Sequence, residues 1–463
     1  MQPADIWSKS LMPSLLDLVI MSTYLIIIFL VANYIKNKNI DTNPEYRYYV
    51  WGLLASIIGA LALGLIYNFY YPGGDTTGYY RSSEAMVNLL FADPAAYFRL
   101  LLGDMSPEAM SSFTAQTGSP WYTNDVGSFT IVRITSIFTF FGFKSFFTTI
   151  ILFASFFYLG YWKLYLLVCQ FYKNYYKQLA LPILFFPSVL LWGSGILKDT
   201  VTLSALAWFL YSAYFLVAQK DKVIKNLAIV ILSGYVLLLV KPYIIVALMP
   251  AIAIWAGWNY IRRIDNVIVR LIASPLLLLI FILISLSVMF VFRDSMGVYG
   301  HIDGILQKAV VTYEDHQRFE QYGEHYYDLG AFDGTLTNFI SKTPQALIAG
   351  IYRPFLWEAG NVFMFFSALE NAIVLLFTAI VLLRKGIGRF LGVISKEPFI
   401  VFSMVFALIF AFAVGVTSAN FGALVRLKIP MVPFFVASLV VVNCRYGDVE
   451  GEFEEEGQED QND

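Results

Sequence analysis

The sequence predicts an all-α, polytopic bundle of transmembrane helices, and three observations carry that prediction. Hydrophobic residues fill 58% of the 463 positions and charged residues only 14%, against ~25% charged in ordinary soluble domains, so lipid must solvate most of the apolar surface. Apolar runs of roughly 20 residues recur along the chain, each long enough at ~1.5 Å per residue to cross a ~30 Å hydrocarbon layer. Lys and Arg crowd into alternate connecting segments, the bias that marks cytoplasmic loops.

Taken in order, the runs predict about 11 crossings: roughly 12 to 34, 49 to 70, 146 to 170, 179 to 195, 200 to 218, 227 to 241, 244 to 260, 271 to 292, 361 to 383, 398 to 417 and 429 to 444. Basic clusters at Lys36 to Arg47, Lys173 to Lys177, Lys220 to Lys225, Arg262 to Arg270, Arg384 to Lys396 and Arg445 are expected in the cytoplasm. That places the N-terminus outside, the C-terminus inside, and two long segments, about 71 to 128 and 293 to 360, on the outer face. The first segment reads as short amphipathic helices on the outer surface, at 85 to 90 and 97 to 102. The apolar piece 129 to 141, interrupted by Arg133, reads as a re-entrant or surface helix, since counting it as a crossing would break the sidedness. Residues 1–447 are expected to form a single transmembrane domain.

The net charge of -2 misleads, because residues 448–463 carry nine acids and no base, leaving +7 on the rest. That acidic tail reads as disordered and cytoplasmic. Cys169 and Cys444 are placed near cytoplasmic helix ends, where a disulfide is not expected. Residues 1 to 35 do not read as a cleavable signal, since the apolar run is too long and lacks a basic start. There is no phosphate-binding GxxxxGK[ST] loop, no dinucleotide fingerprint and no GxSxG, so nucleotide-driven and serine-hydrolase chemistry are not indicated. No nucleic-acid partner is expected.

The strongest local signal is Tyr71-Pro72-Gly73-Gly74-Asp75-Thr76-Thr77-Gly78-Tyr79-Tyr80. An uncharged run from Val50 to Phe69 is stopped by Pro and Gly, and Asp75 follows at once at the membrane boundary. Ionisable residues near the bilayer interior are costly unless paired or wetted, and are functional candidates by default. Asp75, Arg133, Lys198, Asp199, Lys241, Arg353, Glu358, Arg426 and Lys428 all fall at predicted outer helix ends or adjoining loops. Cations exceed acids in that set, against the usual inward bias, as an anionic ligand on the outer face would require. Lys198 and Asp199 follow Pro187, Gly193 and Gly195 at a chain turn, with Asp199 also readable as the N-cap of 200 to 217. Lys241-Pro242-Tyr243 repeats a cation at an outer turn, where a boundary anchor is the plainer reading. Arg353 and Glu358 bracket Pro354, so an ion pair holding that loop competes with a ligand role. Asp17 and Glu370 stand alone inside apolar runs, which points to interhelical hydrogen bonding. His301, His316 and His325 lie among Asp303, Glu314, Asp315, Glu320, Glu324 and Asp328 without HxH or HExxH spacing, so a divalent metal is only weakly indicated and no metal ligand is assigned.

On these residues the chain resembles the GT-C class of polyprenyl-phosphate-dependent glycosyltransferases: a helix ending near Tyr71, then Asp75 with Tyr79 and Tyr80, in an outer loop reaching about 128. It departs in having one helix before the matching one and no DxD, since Thr76 and Thr77 follow Asp75. It is also similar to polysaccharide polymerases and ligases of the bacterial envelope, with 293 to 360 in place of their late Arg- and His-bearing loop. The resemblance implies a lipid-linked sugar donor, an acceptor that is a glycan, lipid or protein, and a site open to the outer face of the bacterial inner membrane. Asp75 would be the base, with Glu84 its rival one stretch further on. Lys198, Lys241, Arg353 and Arg426 would hold the leaving phosphate, with Asp75, Lys198, Lys241 and Arg353 lining one outward-opening cavity, while Tyr79, Tyr80, Trp121 and Trp357 would offer sugar-stacking faces. A transporter or flippase for an anionic lipid-linked glycan fits the same cations, as does a non-catalytic scaffold in an envelope assembly.

Overall fold

The computed structural model describes residues 11–71, 73–262, 302–316, 326–330, 335–394 and 396–459. Among them the regular structure is helical; no strand forms, and one isolated bridge pairs Tyr326 with Asn420. The expected crossing at 271 to 292, Pro72, His301, His325, Glu320 and Glu324 lie outside the described residues, as do the side chains of Asp303 and His316.

Seven described helices are long and apolar enough to cross a membrane, the make-up of a multi-pass membrane protein: Leu15–Asn39, Pro44–Tyr70, Phe146–Phe171, Lys198–Gln219, Val223–Val240, Val362–Arg384 and Pro398–Thr417. An eighth is Phe421–Leu427 with Val432–Arg445, bent by 66°, where Pro430 removes a donor and its ring blocks the previous turn. The run expected at 179 to 195 is instead two short helices, Tyr176–Leu184 and Pro187–Trp192. Pro187 opens the second at its first position, which forces Phe186 into extended backbone (φ -71°, ψ 122°) and ends the first.

The chain forms two compact units, Met1–Leu167 with Leu184–Lys241, and Val168–Ile183 with Pro242–Asp463. The first contains α1 (Leu15–Asn39), α2 (Tyr49–Leu65, continued by a π-helical turn Ile66–Tyr70), α3 (Asp75–Ala92), α4 (Pro94–Leu101), α5 (Pro107–Met110), α6 (Val126–Phe141), most of α7 (Phe146–Phe171), α9 (Pro187–Trp192), α10 (Lys198–Tyr214) and α11 (Val223–Val240). In place of a short surface helix at 85 to 90, α3 is 18 residues long and largely buried. Its small and hydroxyl side chains let α6 approach closely, and the seam is stitched by Ser83 Oγ against Thr139 Oγ1 at 2.7 Å and Tyr79 Oη donating to Ser128 Oγ at 3.3 Å. Asp17 closes a capping box with Ser14 at the start of α1 and also interacts with Ser145 across to α7.

The second unit contains α8 (Tyr176–Leu184), α12 (Pro242–Arg262), α13 (Ile302–His316), α14 (Leu336–Ser341), α15 (Thr343–Tyr352), α16 (Val362–Lys385), α17 (Ile387–Ile394), α18 (Pro398–Thr417), α19 (Phe421–Leu427) and α20 (Val432–Glu459). Helices α15 and α18 interlock through reciprocal glycines: a Cβ on Gly350 would overlap the Ala411 carbonyl, and one on Gly415 the Ala346 carbonyl. Beside that seam, Phe402, Phe406, Phe410 and Phe434 form a dry aromatic core. The helical backbone of α20 continues through Glu459, into the acidic stretch.

Candidate functional site

Two glycines set the geometry at Asp75. Gly73 (φ 107°) and Gly74 (φ 129°) occupy the left-handed half of backbone space, and a Cβ on Gly74 would overlap the Tyr67 ring. The chain thereby turns sharply out of α2, and α3 begins at Asp75, with the carboxylate in its first turn where the helix dipole favours an anion. Asp75 is half-buried. It accepts a long hydrogen bond from Tyr122 Oη at 3.4 Å. Tyr122 itself sits at φ 65°, an uncommon conformation for a residue with a side chain, and packs its ring 4.7 Å from that of Tyr79.

From Tyr79 the polar chain continues. Tyr79 donates to Ser128, Ser128 Oγ donates to Asp125 Oδ2 at 2.6 Å, and Lys198 Nζ donates to the same oxygen at 2.7 Å. Asp125 is the N-cap of α6 and accepts the Gly127 N–H at 2.9 Å. Partial burial pushes its carboxyl up, but the hydrogen bonds from Lys198 and Ser128 outweigh that and hold it below the usual carboxylate range. A single thread of side-chain contacts therefore joins Asp75 at the head of α3 to Lys198 at the head of α10.

The adjacent pair lies deeper. The alternative reading of Asp199 as an N-cap does not hold: Leu197 takes that position, and Asp199 lies within the first turn of α10, fully buried. Its partner is Lys241, 42 residues on at the end of α11, whose side chain is 6% exposed. An ion pair this dry is stable only while both members are present, and it ties the start of α10 to the end of α11, at the open end of that hairpin. Arg133 is also buried, with its guanidinium 5.0 Å over the Phe129 ring, and its Nε and Nη2 have no hydrogen-bond partner among the described residues. Glu84 lies nine residues beyond Asp75 on α3, about 13 Å along the axis at ~1.5 Å per residue, and lines a cavity that Asp75 does not reach.

Arg353, Glu358, Arg426 and Lys428 belong to the second unit. Arg353 Nη2 and Glu358 Oε1 pair at 2.7 Å, and the guanidinium lies over Tyr327 at 5.1 Å. Glu358 also accepts the Phe355 N–H at 2.8 Å, closing the loop around Pro354. Lys428, 2% exposed, spends its ammonium on three oxygens: Ile351 and Arg353 carbonyls at 3.1 and 3.2 Å, and Asn371 Oδ1 at 2.6 Å. Arg426 is half-buried.

Of the aromatic candidates, Tyr79 and Tyr80 are each 1% exposed and pack within the α3 seam, whereas Trp121 is 39% and Trp357 81% exposed. Among the described residues no group of three or more His, Cys, Asp or Glu gathers as a metal site, and Cys169 and Cys444 form no disulfide. Tyr122 and Asp125 were not singled out from the sequence. The signal for Asp125 was local: an acid directly before Val126-Gly127-Ser128, where an apolar stretch begins, is an N-cap pattern. No family model, curated protein or solved structure matches this chain.

Proposed function

We propose that the protein is a membrane glycosyltransferase of GT-C type, which moves a sugar or glycan from a polyprenyl-phosphate or polyprenyl-diphosphate carrier to a glycan, lipid or protein acceptor. The reaction would take place at the outer face of the bacterial cytoplasmic membrane, with the N-terminus outside, the C-terminus inside and about 11 crossings. The observation that carries this reading is the thread from Asp75 through Tyr122, Tyr79, Ser128 and Asp125 to Lys198: it puts a carboxylate and a cation at the ends of spans Pro44–Tyr70 and Lys198–Gln219. A lipid-borne donor reaches such a boundary site without leaving the bilayer.

In this reading the acceptor hydroxyl loses its proton to Asp75 as its oxygen bonds to the anomeric carbon. The bond from that carbon to the phosphate oxygen breaks, and the electron pair leaves with the phosphate. Lys198 stabilises the charge that grows there, an interaction stronger in the transition state than in the ground state. Asp125 and Tyr122 position these two groups, and Trp121, 39% exposed and with its backbone N–H anchored on Ser82 at 2.9 Å, suits a sugar ring. Lys241 and Asp199 hold the hairpin that presents Lys198.

The test is turnover of a labelled polyprenyl-linked sugar in proteoliposomes. Asp75→Asn should lose at least ~10²-fold in rate while donor binding persists, the usual scale for a positioned base. Full turnover by a folded Asp75→Asn protein would remove Asp75 as the base. The broken pair α8 and α9 and the 66° bend between α19 and α20 favour a second reading as a carrier of lipid-linked anions, since interrupted helices create polar sites in membranes. Donor that crosses the bilayer chemically unchanged would select it.

A further inference from the structure

A cavity of about 250 Å³ in the first unit lies where α1 and α7 begin. Two cations, Arg81 and Lys144, and two acids, Asp17 and Glu84, line it, with Phe146 and Phe147 forming an apolar wall. We propose that this cavity binds the phosphoethanolamine headgroup of an aminophospholipid, independently of the glycosyl-transfer reading.

Position gives the first argument. Helices α1 and α7 are both apolar spans, so a cavity at their first turns sits at headgroup depth rather than among acyl chains. The first turn of a helix carries backbone N–H groups with no intrahelical acceptor and a positive dipole end, which favour a phosphate; the Ser14–Asp17 box already caps α1, so it is the start of α7 that offers them here. Lys144 adds a cation beside that end. Its backbone is held in the left-handed region (φ 58°), directly after Phe143 (φ 55°), and such strain in consecutive non-glycine residues persists only where surrounding contacts enforce it. Those contacts are visible: the Lys144 carbonyl accepts from Tyr80 Oη, and Lys144 Nζ donates to Asn88 Oδ1 at 2.7 Å and lies 5.4 Å from the Phe91 ring centre.

Charge balance and size then select the ligand. Two acids beside two cations leave the lining formally neutral, so a bare anion would meet repulsion from Asp17 and Glu84 that an ammonium group cancels. A primary ammonium donates hydrogen bonds to carboxylates, whereas a trimethylammonium cannot. The volume is below the ~300–1,000 Å³ of pockets that enclose whole drug-sized ligands, so it fits a headgroup whose chains remain in the bilayer.

The full-length protein should be exchanged into nanodiscs holding equal phosphatidylethanolamine, phosphatidylcholine and phosphatidylglycerol with identical chains, and the retained lipid counted by native mass spectrometry. Phosphatidylethanolamine is expected about tenfold enriched over either competitor, the scale of one charge-assisted hydrogen bond. Glu84→Gln and Arg81→Gln should each bring retention close to parity, while Arg81→Lys should keep most of the preference. Glycerophosphoethanolamine, the same headgroup without chains, should displace the bound lipid. Equal retention of the three lipids by the unmodified protein, a preference for phosphatidylglycerol, or failure of the chain-free headgroup to compete would each overturn the proposal, whether or not the variants fold.

Discussion

Replacing Lys241 by Met tests the buried ion pair with the largest expected energy. The substitution keeps the length of the side chain but takes the Lys241 ammonium away from Asp199, whose side chain is 0% exposed. Removing one member of a buried pair costs about 3–5 kcal/mol, because the remaining charge stays desolvated, or about 10²- to 10³-fold in the folding equilibrium at ~1.4 kcal/mol per decade. Membrane settings damp such effects when the unfolded chain finds other partners, so the lower end of that range is expected. The assay is reversible unfolding in mixed micelles, run as a double-mutant cycle with Asp199→Asn. Lys241→Met and Asp199→Asn should each be destabilised, and the double variant should recover most of the loss, since a neutral amide beside a thioether carries no buried charge. A Lys241→Met protein within about 1 kcal/mol of the parent would refute the pairing as a structural lock, as would simple additivity of the two losses.

Two further variants probe other polar contacts. Asp125→Asn should cost no more than about 1 kcal/mol of stability, because the Asp125 side chain of its pair with Lys198 is 54% exposed. The sign with pH is fixed by the lowered Asp125 carboxyl: its contribution is present above the unfolded value of ~3.9 and is lost as pH falls through the lower folded value. An acid titration of parent and variant should therefore converge at low pH and differ at neutral pH. Lys428→Met strands two backbone carbonyls and the Asn371 amide oxygen. A loss of about 1–3 kcal/mol is expected in the same micelle assay, and an unchanged midpoint would count against Lys428 as a buried tie.

What was legible in the sequence follows from the physics of each signal. Uninterrupted apolar stretches declared themselves, because nothing but a membrane or a very large core accommodates the run from Leu15 or Pro398. An interrupted one misled: hydropathy averages across Pro187, but the backbone cannot pass it without a break. Helix α3 was legible only in part, since its Thr, Ser and Gly side chains look like an exposed surface until α6 covers them. The signs of the charges at 198, 199 and 241 marked them as unusual, yet their pairing was hidden, because Asp199 meets Lys241 only when α10 and α11 fold back on each other. Asp125 was overlooked for the opposite reason: a lone acid in a polar loop looks solvated, and its partner lies 73 residues away.

The most direct measurement is sided thiol labelling in a background with Cys169 and Cys444 replaced by Ser. Cysteines placed singly at Trp121, Asp125 and Lys198 are exposed to a membrane-impermeant maleimide in intact spheroplasts, and again after permeabilisation. All three positions should label in intact spheroplasts, since the transfer site is assigned to the outer face. Labelling of position 125 or 198 only after permeabilisation would place the carboxylate and cation on the cytoplasmic side and contradict that assignment.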